Sequence, residues 1–306
     1  MTKHLIYVED LSREEINDIL AKATHFKEER SRGILSNELK GKTIALIFEK
    51  PSTRTRVSFE TGIHELGGTP IFLSAQELQL SRGETIADTA KTLSRYVHGI
   101  VARVTSHDHL IELSKHSTVP VINALSPQEH PCQTLADLLT IHEKKGKLKG
   151  LKVTWVGDGD NVCNSLMLGC SLMGANFSAA NPRGYEPPIK ILERARRNAE
   201  KSGGKVKITN DPNEAVTSAD VVYTDVFVSM GKEKEREKRM RDFKGFQINS
   251  KLLARAKKDV IFMHCLPAHR GEEVTDDVID GPRSVVWDQA ENRMHTEKAL
   301  LVSLLA

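Results

Sequence analysis

Short apolar runs rich in β-formers alternate along this chain with charged, amphipathic stretches, and no other feature restricts its fold so tightly. The runs are KTIALIFEK, TPIFLS, GIVARV and VPVINA, then KVTWVGDG, ANFSAAN, KVKITN, ADVVYT, DVIFMHCLP and SVVWDQ. Strand followed by helix, repeated, builds a parallel sheet with crossover helices on its faces. The expected fold class is therefore α/β. The polar segment HEKKGKLKG, residues 142–150, separates the first four runs from the other six. A chain of 306 residues exceeds the usual size of one core. Two domains are expected, residues 1–145 and 151–290, each a parallel β-sheet flanked by helices. The last stretch, NRMHTEKALLVSLLA, sets Ala299, Leu300, Val302, Leu304 and Leu305 at helical spacing. A C-terminal helix over about 291–306 is expected to cross back and pack on the first domain.

Charge and cysteine usage narrow the partners. Forty-four basic residues stand against 41 acidic ones, a net charge of +3, too even a balance to point to nucleic acid. The run GKEKEREKRMRDF, residues 231–243, reads as a solvated loop or helix face. No apolar run approaches the roughly 18 residues that a membrane span requires, so no membrane partner is expected. Cys132, Cys163, Cys170 and Cys265 follow no metal or CxxC spacing, and the amino-terminal MTKHLIYVED carries no apolar signal segment. A reduced, cytoplasmic protein is the expectation.

Residues 48–68, FEKPSTRTRVSFETGIHELGG, concentrate anion-seeking groups at one chain reversal. Ser52 or Thr53 can cap a helix whose apolar face is Phe59, Gly62, Ile63 and Leu66 and which Gly67-Gly68 stops. Arg54 and Arg56 then stand at the positive end of the helix macrodipole, where they cost stability unless an anion sits there. A phosphate removes the conflict, because free backbone N–H groups, the hydroxyls of Ser52, Thr53 and Thr55 and the planar Arg54 guanidinium form a cradle for it. A capped helix with surface arginines accounts for the hydroxyls and leaves the arginines unexplained.

Other motifs are ambiguous when read alone. EHPCQTLADLLTIH is a helix with Pro131 in its first turn, and His130 is then a cap or core histidine. Asp225 in DVFVSMG can be a turn residue after the strand ADVVYT. Cys265 in HCLP can be a small buried hydrophobe, although that motif ends a strand, where ligands collect in parallel sheets. A zinc site from His264, Cys265 and His269 lacks a clear fourth ligand. GDGDN, residues 157–161, imitates a dinucleotide fingerprint, but Val162 replaces the third glycine and Asn181 replaces the acid that ends the next strand. NAD is not expected.

Taken together and in this order, PSTRTR, HPCQ, DVFVSMG and HCLP resemble the aspartate/ornithine carbamoyltransferase family, in particular its ornithine-specific branch, over almost the whole chain. The resemblance implies transfer of a carbamoyl group from carbamoyl phosphate to the δ-amine of L-ornithine, giving citrulline and phosphate without metal or organic cofactor. It implies that Ser52, Thr53, Arg54 and Thr55 hold the phosphate, that Arg103 and His130 meet the carbonyl oxygen, and that Gln133 meets the carbamoyl NH₂. Cys265 is implied to lie between the substrates, touching the reacting amine or its proton, with the Leu266 carbonyl accepting from the NH₂ group. Arg293, in NRMHTEK, is implied to sit near carbamoyl phosphate. For ornithine, the resemblance assigns Asp225 and Ser229 to the α-ammonium, and Asn161 with the Met230 backbone N–H to the carboxylate. Val226-Phe227 departs from the small polar residue and Trp common in the family. Gln79, Ser81 and Arg82 lie on a polar loop ahead of a helix expected to begin near Glu84. In the family the corresponding loop reaches a neighbouring subunit's pocket, with Gln79 implied to bind carbamoyl phosphate, which implies a homotrimer, or a multiple of trimers, with shared sites. Arg82-Gly83-Glu84 is closer to the aspartate-specific relatives, so transfer to another amine, aspartate or putrescine, is the alternative reading. A phosphate-binding regulator without activity is the third; it would tolerate the loss of Cys265 or Asp225, and both are present.

Overall fold

The computed structural model describes residues 2–305, and the chain divides into two compact units. The first runs up to Leu139 and takes in the residues from Glu291 onward; the second is Thr140–Ala290. The division thus falls within a helix, ahead of the polar segment at 142–150.

The first unit contains α1 (Arg13–Ser31), β1 (Thr43–Phe48), α2 (Thr53–Glu65), β2 (Thr69–Ser74), α3 (Ile86–Leu93), β3 (Gly99–Arg103), α4 (His107–His116), β4 (Val121–Leu125) and the start of α5 (Pro131–Lys145). Its four strands are parallel in the order β2-β1-β3-β4. Ile44 to Phe48 of β1 are all buried, as a central strand covered on both faces requires. Pro70 is accommodated because β2 is an edge strand. The β3–β4 register shifts between Ala102 and Arg103, so a bulge lies beside the arginine that ends β3.

The second unit continues α5 and adds β5 (Lys152–Val156), α6 (Asn161–Leu172), β6 (Asn176–Ala180), α7 (Ile189–Ser202), β7 (Lys205–Thr209), α8 (Pro212–Val216), β8 (Val221–Thr224), α9 (Arg236–Asp242), α10 (Ser250–Leu253), β9 (Ile261–His264), α11 (Asp276–Ile279) and the start of α12 (Val286–Leu305). Its parallel order is β7-β6-β5-β8-β9. Helix α6 is buried around its circumference, from Val162 to Ser171, with Cys163 and Cys170 among mostly apolar side chains.

Nine of the ten apolar runs form strands, and SVVWDQ does not. Ser284 makes one isolated bridge to Phe262, and Val285 N donates to Phe262 O at 3.0 Å. The chain then turns helical: Gln289 N already donates to Val285 O at 2.9 Å. The C-terminal helix consequently starts at Val286 instead of about 291. Its end packs within the first unit, where Ala299, Leu300 and Leu301 are fully buried. Each buried leucine contributes about 1.5–3 kcal/mol. Lys298 Nζ reaches Glu65 Oε2 at 3.0 Å, and a Cβ at Gly62 would come within 3.0 Å of Lys298 Cγ, so the glycine permits the two helices to approach. Among the described residues no helix is long and apolar enough to cross a membrane.

Candidate active site

In each unit the strand order reverses once. In the first, β1 leads outward to β2 while β3 leads the other way to β4, so the switch lies between β1 and β3. In the second it lies between β5 and β8. The crevice outside the carboxyl ends of such strands is where open α/β sheets bind ligands. The sequence motifs fall at these ends.

In the first unit, the reversal after β1 is closed by Ser52, which caps α2: its Oγ accepts from Thr55 N at 3.4 Å and donates to Thr55 Oγ1 at 3.1 Å. Thr53 and Arg54 are exposed and Thr55 is buried. The two arginines of PSTRTR separate in role. Arg56 lies over the Phe72 ring at 3.6 Å and donates to Glu60 at 3.0 Å, whereas Arg54 stays in the field of Arg103. Burial, then Arg293, then Arg54 lower the Arg103 guanidinium to about 10. His130 precedes α5 and is buried; burial, then Arg293 and Arg103, hold its imidazole well below the usual range. It is therefore neutral at pH 7 and can donate a hydrogen bond from one ring nitrogen.

Arg293 comes from α12 and is 4% exposed. Its Nη1 donates to Gln133 Oε1 at 2.9 Å, its Nη2 to Thr55 Oγ1 at 3.5 Å, and its Nε and Nη2 to Glu297 Oε1 at 3.1 and 2.7 Å. Gln133 in turn donates from Nε2 to Asp137 Oδ1 at 2.9 Å. This network orients three of the expected residues, Thr55, Gln133 and Arg293, around one buried charge. Glu297 is a member that sequence reasoning missed, although a carboxylate four residues after an arginine on a helix is a legible pairing signal. Burial pushes its carboxyl up to about 7, against the pull of Arg293 and Ser58. Gln79 and Arg82 are exposed and stand on a 3₁₀ turn, Gln79–Arg82, ended by Gly83 at φ 96°. The helix after it begins at Ile86 with Thr85 as its cap, slightly later than expected.

The second unit gathers the other motifs. A Cβ on Gly159 would lie 2.4 Å from Pro187 N, so close backbone packing, not a pyrophosphate, requires the second glycine of GDGDN. Asn161 begins α6 and its Oδ1 accepts from Val162 N at 3.0 Å. Asp225 follows β8; Val226 N donates to its Oδ1 at 2.7 Å and the Cys265 side chain also hydrogen-bonds it. Burial raises the Asp225 carboxyl and outweighs His264, Cys265 and the Val226 N–H, which lower it. Ser229 Oγ donates to Asp160 Oδ2 at 3.2 Å, and Met230 is 53% exposed.

The turn after β9 is held by a carboxylate and an imidazole. Leu266 N donates to His264 Nδ1 at 2.8 Å, so His264 carries its proton on Nε2, which donates to Glu273 Oε1 at 3.3 Å. Both His264 and Glu273 are buried. Leu266 thereby keeps φ 60°, a left-handed backbone that a non-glycine residue seldom adopts. Glu273 gave no sequence signal. The ligand atoms of Asp225, His264 and Cys265 lie within 4.8 Å of one another, and those of His269, Glu272 and Glu273 form a second such group. His269 therefore does not join His264 and Cys265. The basic-acidic run at 231–243 is not wholly solvated: Arg239 is buried, donating to Asp158 Oδ2 at 2.7 Å and to the Phe227 carbonyl at 2.9 Å.

Residues 3–143 match the carbamoyl-P binding domain of aspartate/ornithine carbamoyltransferases, and residues 149–304 match their Asp/Orn binding domain. The chain is 56% identical over 303 residues to an ornithine carbamoyltransferase from Pyrococcus horikoshii, covering 99% of this chain and 96% of that one. It is 55% identical over 303 residues, with the same coverage, to a Pyrococcus furiosus ornithine carbamoyltransferase described as anabolic. A solved structure of ornithine carbamoyltransferase from P. furiosus superposes with a TM-score of 0.96 at 55% identity, covering 99% of this chain and 97% of that one.

Proposed function

The chain belongs to the aspartate/ornithine carbamoyltransferase family and is a carbamoyl-group transferase, and on that premise we propose that it carbamoylates the δ-amine of L-ornithine, giving L-citrulline and phosphate by direct attack of the amine. The observation that carries the reading is the set of three arginines, Arg54, Arg103 and Arg293, with a neutral His130 at one switch point. After burial, the like charges of Arg293 and Arg54 depress the Arg103 guanidinium, a conflict that an entering anion relieves. A phosphate dianion answers Arg54 and the α2 N-terminus, with Ser52, Thr53 and Thr55 supplying donors. Arg103 and His130 face the carbonyl oxygen, whose negative charge grows as the amine attacks, and donors fixed in advance stabilise that charge most. Arg293 and Gln133 position the carbamoyl end. Because His130 is already neutral, it acts as a donor at pH 7 without titrating.

In the second unit Asp225 and Ser229 hold the α-ammonium, Asn161 and the Met230 N–H hold the carboxylate, and Cys265 meets the reacting amine. The amine loses its proton before it attacks, so no covalent cysteine intermediate is needed. The kinship with an anabolic relative supports a place in arginine biosynthesis, and the same reading makes the protein cytoplasmic. The Gln79–Arg82 turn carries an exposed arginine outside the motifs that follow β1 and β3, which supports a homotrimer whose sites are completed by a neighbour's loop.

The test is product formation from carbamoyl phosphate with L-ornithine, putrescine, L-lysine and L-aspartate side by side. Ornithine should lead by at least about tenfold in kcat/KM, since an amine without the amino-acid head forgoes the contacts proposed for Asp225, Ser229 and Asn161. Equal turnover of putrescine or aspartate would overturn the assignment.

A further inference from the structure

Asp160 occupies the N-cap position of α6 and yet its side chain makes no capping hydrogen bond. An aspartate there ordinarily accepts from the second or third N–H of the helix, an interaction that stabilises the end. Here the carboxylate turns away, and Oδ2 accepts from Ser229 Oγ at 3.2 Å. The residue as a whole is half-buried, but Oδ1 is out of contact with solvent and has no hydrogen-bond partner. The neighbouring carboxylates are better supplied. Asp158 Oδ2 accepts from Arg239 at 2.7 Å and from Lys232 at 3.1 Å, and Asp225 accepts from Val226 N and hydrogen-bonds Cys265. One buried carboxyl oxygen beside Ser229, which the proposed function assigns to ornithine, thus lacks a partner, and buried polar oxygens in native proteins are rarely left so.

We propose that Asp160 is a further specificity-determining ligand of the substrate head, its Oδ1 accepting a hydrogen bond from the α-ammonium while its Oδ2 keeps Ser229 in line; the inference rests on reading this half as an amino-acid site. A free, charged α-nitrogen is then required. A substrate acylated at that nitrogen brings no charge to Asp160 and fills the space it needs.

The proposal has a protonic consequence. Asp158, Asp225 and Lys232 face Asp160, with the Cys163 thiol beside it on α6, Arg239 reaching it through Asp158, and His264 acting on Asp225. Burial, then Asp158 and Asp225, push the Asp160 carboxyl up to about 8, with Lys232 and Ser229 opposing. Near pH 7 it is mostly protonated, and an arriving ammonium lowers it again, so the proton passes to solvent on binding.

L-norvaline isolates this event, because it has the amino-acid head but no δ-amine to deprotonate. It would be titrated calorimetrically into the protein saturated with carbamoyl phosphate, at pH 7 in buffers of different ionisation enthalpy. The wild type should release roughly half to one proton per site, and Asp160→Asn should release markedly less and bind more weakly. If Asn does not give folded protein, Asp160→Ser, whose hydroxyl is favoured at a helix N-cap and carries no titrating carboxyl, serves instead. Equal proton release by wild type and variant, or binding without release in both, overturns the role of Asp160 and leaves the site assignment standing. Absence of norvaline binding to the wild type overturns the amino-acid site and this inference together.

Discussion

Arg54→Ala should change stability in opposite directions with and without ligand. Arg54 is the second residue of α2 and lies at the positive end of that helix. A cation there costs about 0.3–1 kcal/mol, and it also helps lower the Arg103 guanidinium, after burial and Arg293. Without ligand the variant should therefore be as stable as the wild type or more so, by up to about 1 kcal/mol. With carbamoyl phosphate bound, the variant lacks a charge-assisted hydrogen bond of about 1.5–3 kcal/mol, which weakens affinity roughly ten- to hundredfold. At a concentration a hundred times the wild-type Kd, the wild type gains about 2.7 kcal/mol, and a variant binding thirtyfold more weakly gains only about 0.9 kcal/mol. Thermal unfolding with and without carbamoyl phosphate, beside a calorimetric Kd, should find the two melting temperatures changing order. A variant that melts well below the wild type without ligand, or that gains as much from ligand, would refute the argument that Arg54 is held against the helix dipole for an anion.

Two further outcomes are expected. Burial lifts the Glu297 carboxyl from 4.5 to about 7, so the folded protein keeps a proton that the unfolded chain has lost, and stability contributed by this group falls as pH rises through that window. Glu297→Gln removes the titration; urea unfolding at about pH 5 and pH 8 should find the wild-type-to-variant gap moving in the variant's favour by on the order of 3 kcal/mol, and an unchanged gap would mean that Glu297 is ionised throughout. For the shared site, Arg54→Ala and Arg82→Ala proteins, each nearly inactive, should regain about a quarter of native activity when dissociated and reassembled together, since three quarters of randomly mixed cyclic trimers are hybrids with one intact pocket in three. No recovery after mass analysis has confirmed exchange would place each loop in its own subunit's pocket.

What the sequence determined by itself was local or periodic. Alternating apolar runs specify strands and crossovers because side-chain period and chain direction are read within a few residues. The Ser52 cap, the Pro131 start of α5 and the stop of α2 at Gly67, where φ is 75°, are likewise decided by a residue's own geometry and its nearest neighbours. The same locality explains the one misread run: SVVWDQ has β-forming residues, but after a single bridge at Ser284 the chain goes helical and continues so to Leu305. Only the tertiary structure decided which charges meet. Gln133 and Arg293 are 160 positions apart and touch because α12 packs on the first unit. Arg239 leaves a charged run for Asp158, and Glu273 finds His264 under the turn after β9. Asp160 illustrates the limit: its identity suggests a helix cap, and the position of Ser229, 69 residues later, turns it away. Such pairings depend on strand order and on desolvation, and both are properties of the assembled sheet, not of any short stretch of chain.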